Sequence, residues 1–459
     1  MRVILDIPIS INEICEAINA SVCKAFDKSI LITAITTDTR ECEKGDLFIA
    51  LDGALDSGEK HVSSALDKIS YPVSKSRSED VIFVKDTSDA LLNIAKLYKS
   101  KLKALKYTVA VTGSVGKSTT VKYITEILGT KYKVHAPIKN YNNHIGVPIT
   151  VLSAPMDTEV LVLELGMNHR GEISRLSNCV NPDISVITKI GTSHIGNLGS
   201  RSEIAKAKLE ILDGMMGGVI LLPYGDPLLS DMDIGMYVAR NSSLSDFSLN
   251  DQSEDSYSMK SAIENIEGIV FHDEREHLIY NLAFAISVAQ MLGLNQEEII
   301  KGTKAITNSK LRQRLIRLKT FTIFDDSYNA SIESISADLK YMRSFGTPVS
   351  AFLGDVLELG EKSEMIHRQI GIIAAQSGLE RLYLIGSFSK YTKDGAILGG
   401  MRAEQIFINE NVNRPEISVE QIKANHISGE TILFKASHLL RLDKIADMLE
   451  MEERMDNER

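Results

Sequence analysis

The chain has 459 residues, 44% of them hydrophobic and 24% charged, with a net charge of −10 at neutral pH. That length makes two or three domains with sizeable cores, and the acidic balance argues against a nonspecific nucleic-acid binder, whose phosphate contacts need a basic surface. No stretch approaches the ~20 uninterrupted apolar residues that span a bilayer.

The N-terminus, MRVILDIPISINE, has too short an apolar run for a signal peptide, so the cytoplasm is the expected compartment. Residues 1–104 mix short strand-like runs (ILITAITTDTR, GDLFIAL, DVIFVKD) with short helical ones. They close on ALLNIAKLYKSKLKALK, an amphipathic helix whose lysines read as a solvated face. Cys15, Cys23, Cys42 and Cys179 form no Cys-x-x-Cys pair and are expected to be reduced, partly buried thiols. With no tryptophan and 6% aromatics, a base-stacking platform is not expected.

From 105 to 310, apolar strands alternate with helices. YTVAVTG, EVLVLELG, ISVITKIG and GGVILLP are the strands, and KSTTVKYITEIL and SRSEIAKAKLEIL are helical. Nearly continuous apolar strands between helices predict a parallel sheet covered on both faces. The polar stretch NSSLSDFSLNDQSEDSYSM reads as an exposed loop or meander, and HLIYNLAFAISVAQMLGL as a long buried helix. From 311 to 459 the alternation restarts with FTIFDDSYNA, PVSAFLGDV, RLYLIGS and ETILFKAS, a second α/β unit. The fold class is therefore α/β in three domains: a small α/β domain (1–104), a central parallel-sheet domain (105–310) and a Rossmann-like domain (311–459).

The strand–turn–helix VAVTGSVGKSTT carries the clearest chemistry. Val111 stands where the strict phosphate-loop pattern has glycine, so what remains is Thr112, Gly113, Ser114, Gly116, Lys117, Ser118 and Thr119. Glycines let backbone amides approach a phosphate, and a helix N-terminus adds about half a positive charge. Lys117 can reach the terminal phosphates, and Ser118 can place its hydroxyl on Mg²⁺. Glu164 ends a parallel strand, at the sheet edge where nucleotides bind, and fits a metal-supporting carboxylate. His194, in GTSHIGNLG, is as easily incidental as functional. Asp325 and Asp326 end the strand FTIF and could bind ribose hydroxyls, act as a base or cap the next helix. Asn140, Asn142 and Asn143 read as turn chemistry.

Taken in order, TDTR with GDLFIALDG, TGSVGKSTT, YNNHIGVP, ELGMNHRGEI, GTSHIGNLGSRSEIAKAKLEI, DDSYNAS and LGDVLELGEKSEMIHRQIG resemble the Mur ligase family over nearly the whole chain. The resemblance implies an ATP-dependent amide ligase of peptidoglycan precursor synthesis. Its expected reaction joins D-alanyl-D-alanine to UDP-N-acetylmuramoyl-tripeptide through an acyl phosphate, releasing ADP and phosphate. It implies that Lys117 and Ser118 hold the ATP phosphates and Mg²⁺. Glu164 and His194 would bind a second metal ion, and Lys208 would be carbamylated, so that a cation becomes a carboxylate. As a plain helix residue, Lys208 would read as an exposed lysine. Asn281 would contact the adenine side of ATP, Arg314 the γ-phosphate and Asp326 the ribose. Thr39, Arg40, Asn329, Lys435 and Ser437 would serve the substrates. The enzyme is expected to be a monomer that uses neither nucleic acid nor a membrane.

Several positions depart from the family. Lys189 stands for an Asn, Leu278 for the first Asn of a His-Asn-x-x-Asn pattern, and Gln313 for the Gly before the γ-phosphate arginine. Ser57-Gly58-Glu59 replaces Asp-Gly-His, and Lys435-Ala436-Ser437-His438 replaces Lys-Gly-Ser-Arg. The last two changes bear on the substrates, because Arg clamps a carboxylate bidentately and His cannot. They leave open a paralogue acting on another carboxylate and amine. A nucleotide-binding protein without catalysis would be expected to lose Lys117, Ser118, Glu164, His194 and Lys208, and all five remain.

Overall fold

A computed structural model describes residues 1–22, 27–53, 56–230, 232, 234–253, 255–273, 275–306 and 314–457. Cys23 and Gln313 lie outside the described residues. The chain divides into two compact units. One is Met1–Lys189 with Ala205–Glu274 and Leu278–Ile306; the other is Ile190–Ile204 with Arg275–His277 and Thr307–Arg459.

The first unit contains two sheets. In the smaller, Arg2–Ser10 pairs antiparallel with Leu31–Thr36, and Leu47–Ile49, Tyr71–Ser74 and Ile82–Phe83 follow in parallel. The helix Thr87–Lys101 starts where the Asp86 carboxylate accepts the backbone N–H groups of Ser88 and Asp89. Lys96 stays exposed, as a solvated face requires, yet it and the partly buried Lys99 also bind another helix. Lys96 Nζ donates to the Asn178 carbonyl (2.9 Å), and Lys99 Nζ donates to those of Val180 and Asn181. Two ammonium groups thus close the negative end of the helix Glu172–Val180.

The nine-stranded sheet holds the four expected strands as neighbours. They are Val219–Pro223, Ile184–Ile187, Tyr107–Thr112 and Val160–Glu164, all parallel. The polar stretch resolves as a meander: Phe247–Ser253 joins the sheet in parallel, and Ser256–Ser261 and Ile266–Val270 return antiparallel. The long apolar helix is Glu276–Met291, buried on nearly every side. Its Leu282, Phe284 and Ile286 belong to one core with Val109 and Val111 of the strand that leads into the glycine loop. The core therefore sets the height at which that loop emerges.

In the second unit Arg314–Arg317 pairs antiparallel with Thr322–Asp325. Thr431–Lys435, Val349–Gly354, Leu382–Ile385 and Ile406–Asn409 continue in parallel. A charge cluster lies at the carboxyl ends of the middle strands. Lys435, 1% exposed, pairs with Asp326, and its Nζ lies 2.8 Å from Oδ2 of Asp338, which is equally buried. Burial pushes the Asp338 carboxyl up to about 7; Lys435 opposes that rise and Asp326 adds to it. Burial would also lower the Lys435 ammonium, but the two carboxylates outweigh it and hold it above its ordinary value.

Asp338 therefore keeps a proton in the folded protein that the unfolded chain gives up near pH 4. Its contribution to stability is complete below pH 4 and is lost as the pH rises to about 7. Denaturant unfolding of wild type and Asp338→Asn across this range should show wild type losing ground, by up to about 1.4 kcal/mol per pH unit. A pH-independent difference would refute the assignment.

Candidate active site

The loop after Tyr107–Thr112 is shaped by what surrounds it. Gly113 has φ +150°, and a Cβ there would lie 1.9 Å from Thr188 Oγ1. Thr188 Oγ1 in turn donates to the Val115 carbonyl (2.6 Å), and the Ser114 N–H donates to the Lys189 carbonyl (2.8 Å). The strand Ile184–Ile187 thus continues into a floor on which the loop is fixed. Gly116, at φ +86°, begins the helix Lys117–Leu128, and no side chain caps that helix. Its first-turn N–H groups, with Thr119 among them, face outward for an anion. A Cβ on Gly116 would come 2.7 Å from Asn281 Oδ1, so Asn281 stands directly against the loop. Lys117 Nζ donates to the Gly113 carbonyl (3.0 Å), and Thr112 Oγ1 donates to that of Leu165 (2.8 Å).

Ser118 Oγ donates to Glu164 Oε2 at 2.5 Å, and Asn142 Nδ2 donates to Oε1 of the same carboxylate at 2.8 Å. Asn142 carries a role that the sequence reading assigned to turn chemistry. Its neighbour Asn143 does make the turn, accepting the N–H groups of Ile145 and Gly146. The only sequence signal for Asn142 is an asparagine run before a helix. Among the described residues, no group of three or more His, Cys, Asp or Glu could hold a metal ion. Mg²⁺ needs no such cage, since it takes one or two protein oxygens and completes its shell with phosphate and water. Ser118 and Glu164 fit that donor set.

Lys208, on the helix Arg201–Leu209, is 1% exposed, which corrects the plain reading of an exposed lysine. Among the described residues no acceptor hydrogen-bonds its amine and no carboxylate reaches ion-pairing distance. Burial pushes it well below the ordinary lysine value; Lys117 adds to that shift and Glu164 opposes it. Burial thus favours the neutral amine, the form that adds CO₂. Leu278, where the family has Asn, packs into the core of the nine-stranded sheet.

The smaller sheet presents the N-terminal candidates. Arg40 is turned onto Asp38, Nη2 to Oδ2 at 2.6 Å, and the Thr39 carbonyl accepts Lys68 Nζ at 2.6 Å. Ser57 Oγ donates to Asp52 Oδ1 (2.7 Å). Glu59 accepts Ser74 Oγ (2.7 Å) and the Lys75 N–H (2.9 Å), so its carboxylate ties down the strand end Tyr71–Ser74.

In the second unit His194 and Glu358 both take positive φ, +64° each, and Nδ1 of the ring lies 2.6 Å from Glu358 Oε2. That contact holds the Glu358 carboxyl below the usual range. The two loops interlock: Gly196 donates its N–H to the Glu358 carbonyl (3.1 Å), and a Cβ on Gly196 would strike Gly360 N at 2.4 Å. Glu358, in LGDVLELGE, was not among the residues singled out. Arg314 Nη2 donates to Asp447 Oδ1 (2.8 Å), with Nε 3.7 Å from Asp325 Oδ2. Asn329 Oδ1 accepts the Ala330 N–H (3.0 Å), and Ser437 Oγ accepts that of Leu357 (2.9 Å). The His438 ring lies 5.4 Å from that of Tyr328.

The first unit thus gathers Thr112 to Thr119, Glu164, Asn281 and Lys208 around one loop. The second holds His194, Arg314, Asp326, Asn329, Lys435 and Ser437. The pattern of the Mur ligase middle domain matches residues 111–289. The UDP-N-acetylmuramoyl-tripeptide–D-alanyl-D-alanine ligase of Bacillus subtilis is 34% identical over 96% of this chain and 98% of its own. The enzyme of the same name from Rickettsia prowazekii is 30% identical over 92% and 96%. Among solved structures, MurF from Acinetobacter baumannii superposes with a TM-score of 0.87 at 25% identity, covering 97% of this chain and 99% of that one. MurF from Thermotoga maritima, solved in complex with ADP, gives 0.78 at 24% identity, over 92% and 98%. The chain belongs to the Mur ligase family.

Proposed function

We propose that this chain is the ATP-dependent ligase that joins D-alanyl-D-alanine to UDP-N-acetylmuramoyl-tripeptide in peptidoglycan precursor synthesis. The observation that carries the reading is the uncapped, glycine-shaped loop with a Ser118–Glu164 pair, together with a buried Lys208 that has no partner among the described residues. Loop and pair provide for a nucleotide and its metal, and the buried amine adds a group that plain nucleotide binding does not require. The relatives that match over nearly the whole chain carry this activity in their names.

The amides of 113–119 and the Lys117 ammonium hold the ATP phosphates and draw charge off the γ-phosphoryl group. The tripeptide carboxylate attacks the γ-phosphorus, ADP leaves, and an acyl phosphate forms. The dipeptide amine then attacks the acyl carbon, phosphate departs, and the amide remains. Ser118 would hold the Mg²⁺ of ATP, and Glu164 and His194 a second metal ion; when bound, these ions neutralise phosphate charge. Carbamylated at Nζ, Lys208 would add a carboxylate to the same site. Asn281 lines the nucleotide side, Arg314 serves the γ-phosphate and Asp326 the ribose. Residues 1–104, with Thr39 and Arg40, take the UDP-sugar; 105–310 takes ATP; 311–459, with Asn329 and Ser437, takes the dipeptide. The protein works in the cytoplasm as a monomer. No described helix is long and apolar enough to cross a membrane.

Purified protein should release phosphate from ATP only when UDP-muramoyl-tripeptide and D-Ala-D-Ala are both present. Nucleotide binding with no stimulation by that pair would reject it and point to a ligase acting on other substrates, as His438 in place of an arginine would allow. Gly113→Ala should weaken ATP binding at least tenfold by calorimetry, because its Cβ meets Thr188 Oγ1; unchanged affinity would contradict the loop assignment. Lys208→Ala should lose activity about 10²–10³-fold, with partial rescue by acetate. Wild type in ¹³C-bicarbonate should show a carbamate carbon signal that the variant lacks. A variant with full activity and an unchanged spectrum would remove Lys208 from the mechanism.

A further inference from the structure

The Lys435 stretch was expected to meet the incoming amine, yet its ammonium is sealed in the second unit's core. The register explains why. Asp325 pairs with Phe434 across parallel strands, so the next residues, Asp326 and Lys435, are cross-strand neighbours at the carboxyl ends. On the other side Leu353 pairs with Lys435, which covers it from the third strand. Ala436 lies over Gly354, where a Cβ would come within 2.7 Å of its methyl. Asp338, from the helix Ile332–Met342, closes the cluster from above.

We infer that Lys435 is a positioning residue for the nucleotide: pinned by Asp338, it fixes the Asp326 carboxylate so that the ribose hydroxyls of ATP find a preset acceptor. The inference rests on the reading of Asp326 as the ribose ligand. Lys435, 1% exposed and held between Asp326 and Asp338, is not placed to touch substrate. Asp326 keeps 13% of its side chain exposed at the sheet edge where nucleotides bind in open α/β sheets. Its backbone N–H is already committed to the Phe434 carbonyl at 3.0 Å, which fixes the main chain beneath it. The Lys435 ammonium donates to the Asp326 carboxylate and lies 2.8 Å from Asp338 Oδ2, so Asp326 is held by a charge that cannot swing to solvent.

The test compares binding of ATP and 2′,3′-dideoxy-ATP to the full chain by calorimetry. Wild type should bind ATP about tenfold or more tightly over the dideoxy analogue, as expected for hydrogen bonds to a charged acceptor. Lys435→Met should raise the ATP Kd to that of the analogue and leave the analogue's Kd where it was. General damage would weaken both alike, so equal weakening, or preserved discrimination, overturns the positioning role. Should Lys435→Met fail to fold, the double variant with Asp338→Asn leaves fewer bare charges in the core and is read in the same way. Asp326→Ala separates the two claims. If it loses discrimination while the lysine variant keeps it, the ribose assignment stands and Lys435 is released from it. If wild type does not discriminate, or Asp326→Ala still does, the ribose assignment falls and this inference falls with it.

Discussion

A lysine taken out of water has to be paired, neutralised or given a ligand, and this chain meets the requirement in two ways. Lys435 is paired with the Asp326 carboxylate and lies against the Asp338 carboxyl. Lys208 is left without a partner among the described residues, so burial weakens its hold on its proton. An ion pair costs desolvation and repays it in fixed geometry. A bare neutral amine costs little as packing and is reactive. The first arrangement suits a scaffold and the second suits a modification; Lys435 ends a parallel strand, and Lys208 sits on the helix Arg201–Leu209.

The carboxyl edge of a sheet recurs because parallel strands buried on both faces leave only their ends free for polar groups. In the first unit the free end is the glycine loop, and its environment leaves no room for side chains at Gly113 or Gly116. Thr188 fills the space under Gly113 and Asn281 the space beside Gly116. Glu164 ends the neighbouring strand, and its two oxygens are divided between Ser118 and Asn142. In the second unit the same edge gathers Asp326, Lys435 and Ser437, and the interlocked loops carry His194 and Glu358 in left-handed backbone conformations. Such conformations cost energy in non-glycine residues and persist only where neighbours hold them; here Gly196 and Gly360 pack against each other so closely that neither admits a methyl group.

The strands were legible because buried parallel strands are nearly continuous apolar runs and the elements between them are not. VAVTG, VLVLE and ISVIT each gave a strand where one was read, and the glycines with Lys117 and Ser118 marked the loop by spacing alone. The polar stretch 241–259 left loop and meander open, since its alternation is weak and its pairing depends on a neighbouring strand edge. The lysines of Thr87–Lys101 were read as solvated because a helix wheel shows which face is charged. It does not show that another helix's carbonyls will meet that face.

The sequence by itself determined the order of the elements, the phosphate loop and the family, because these depend on residues close together in the chain. Tertiary structure decided which charges are buried and what they touch. Lys208 and an exposed helical lysine look identical in sequence, Asn142 and Asn143 are adjacent and do different work, and Lys435 reads as a substrate ligand until three strands close around it. Burial and pairing depend on segments a hundred or more residues apart in some cases, and no local spacing encodes them.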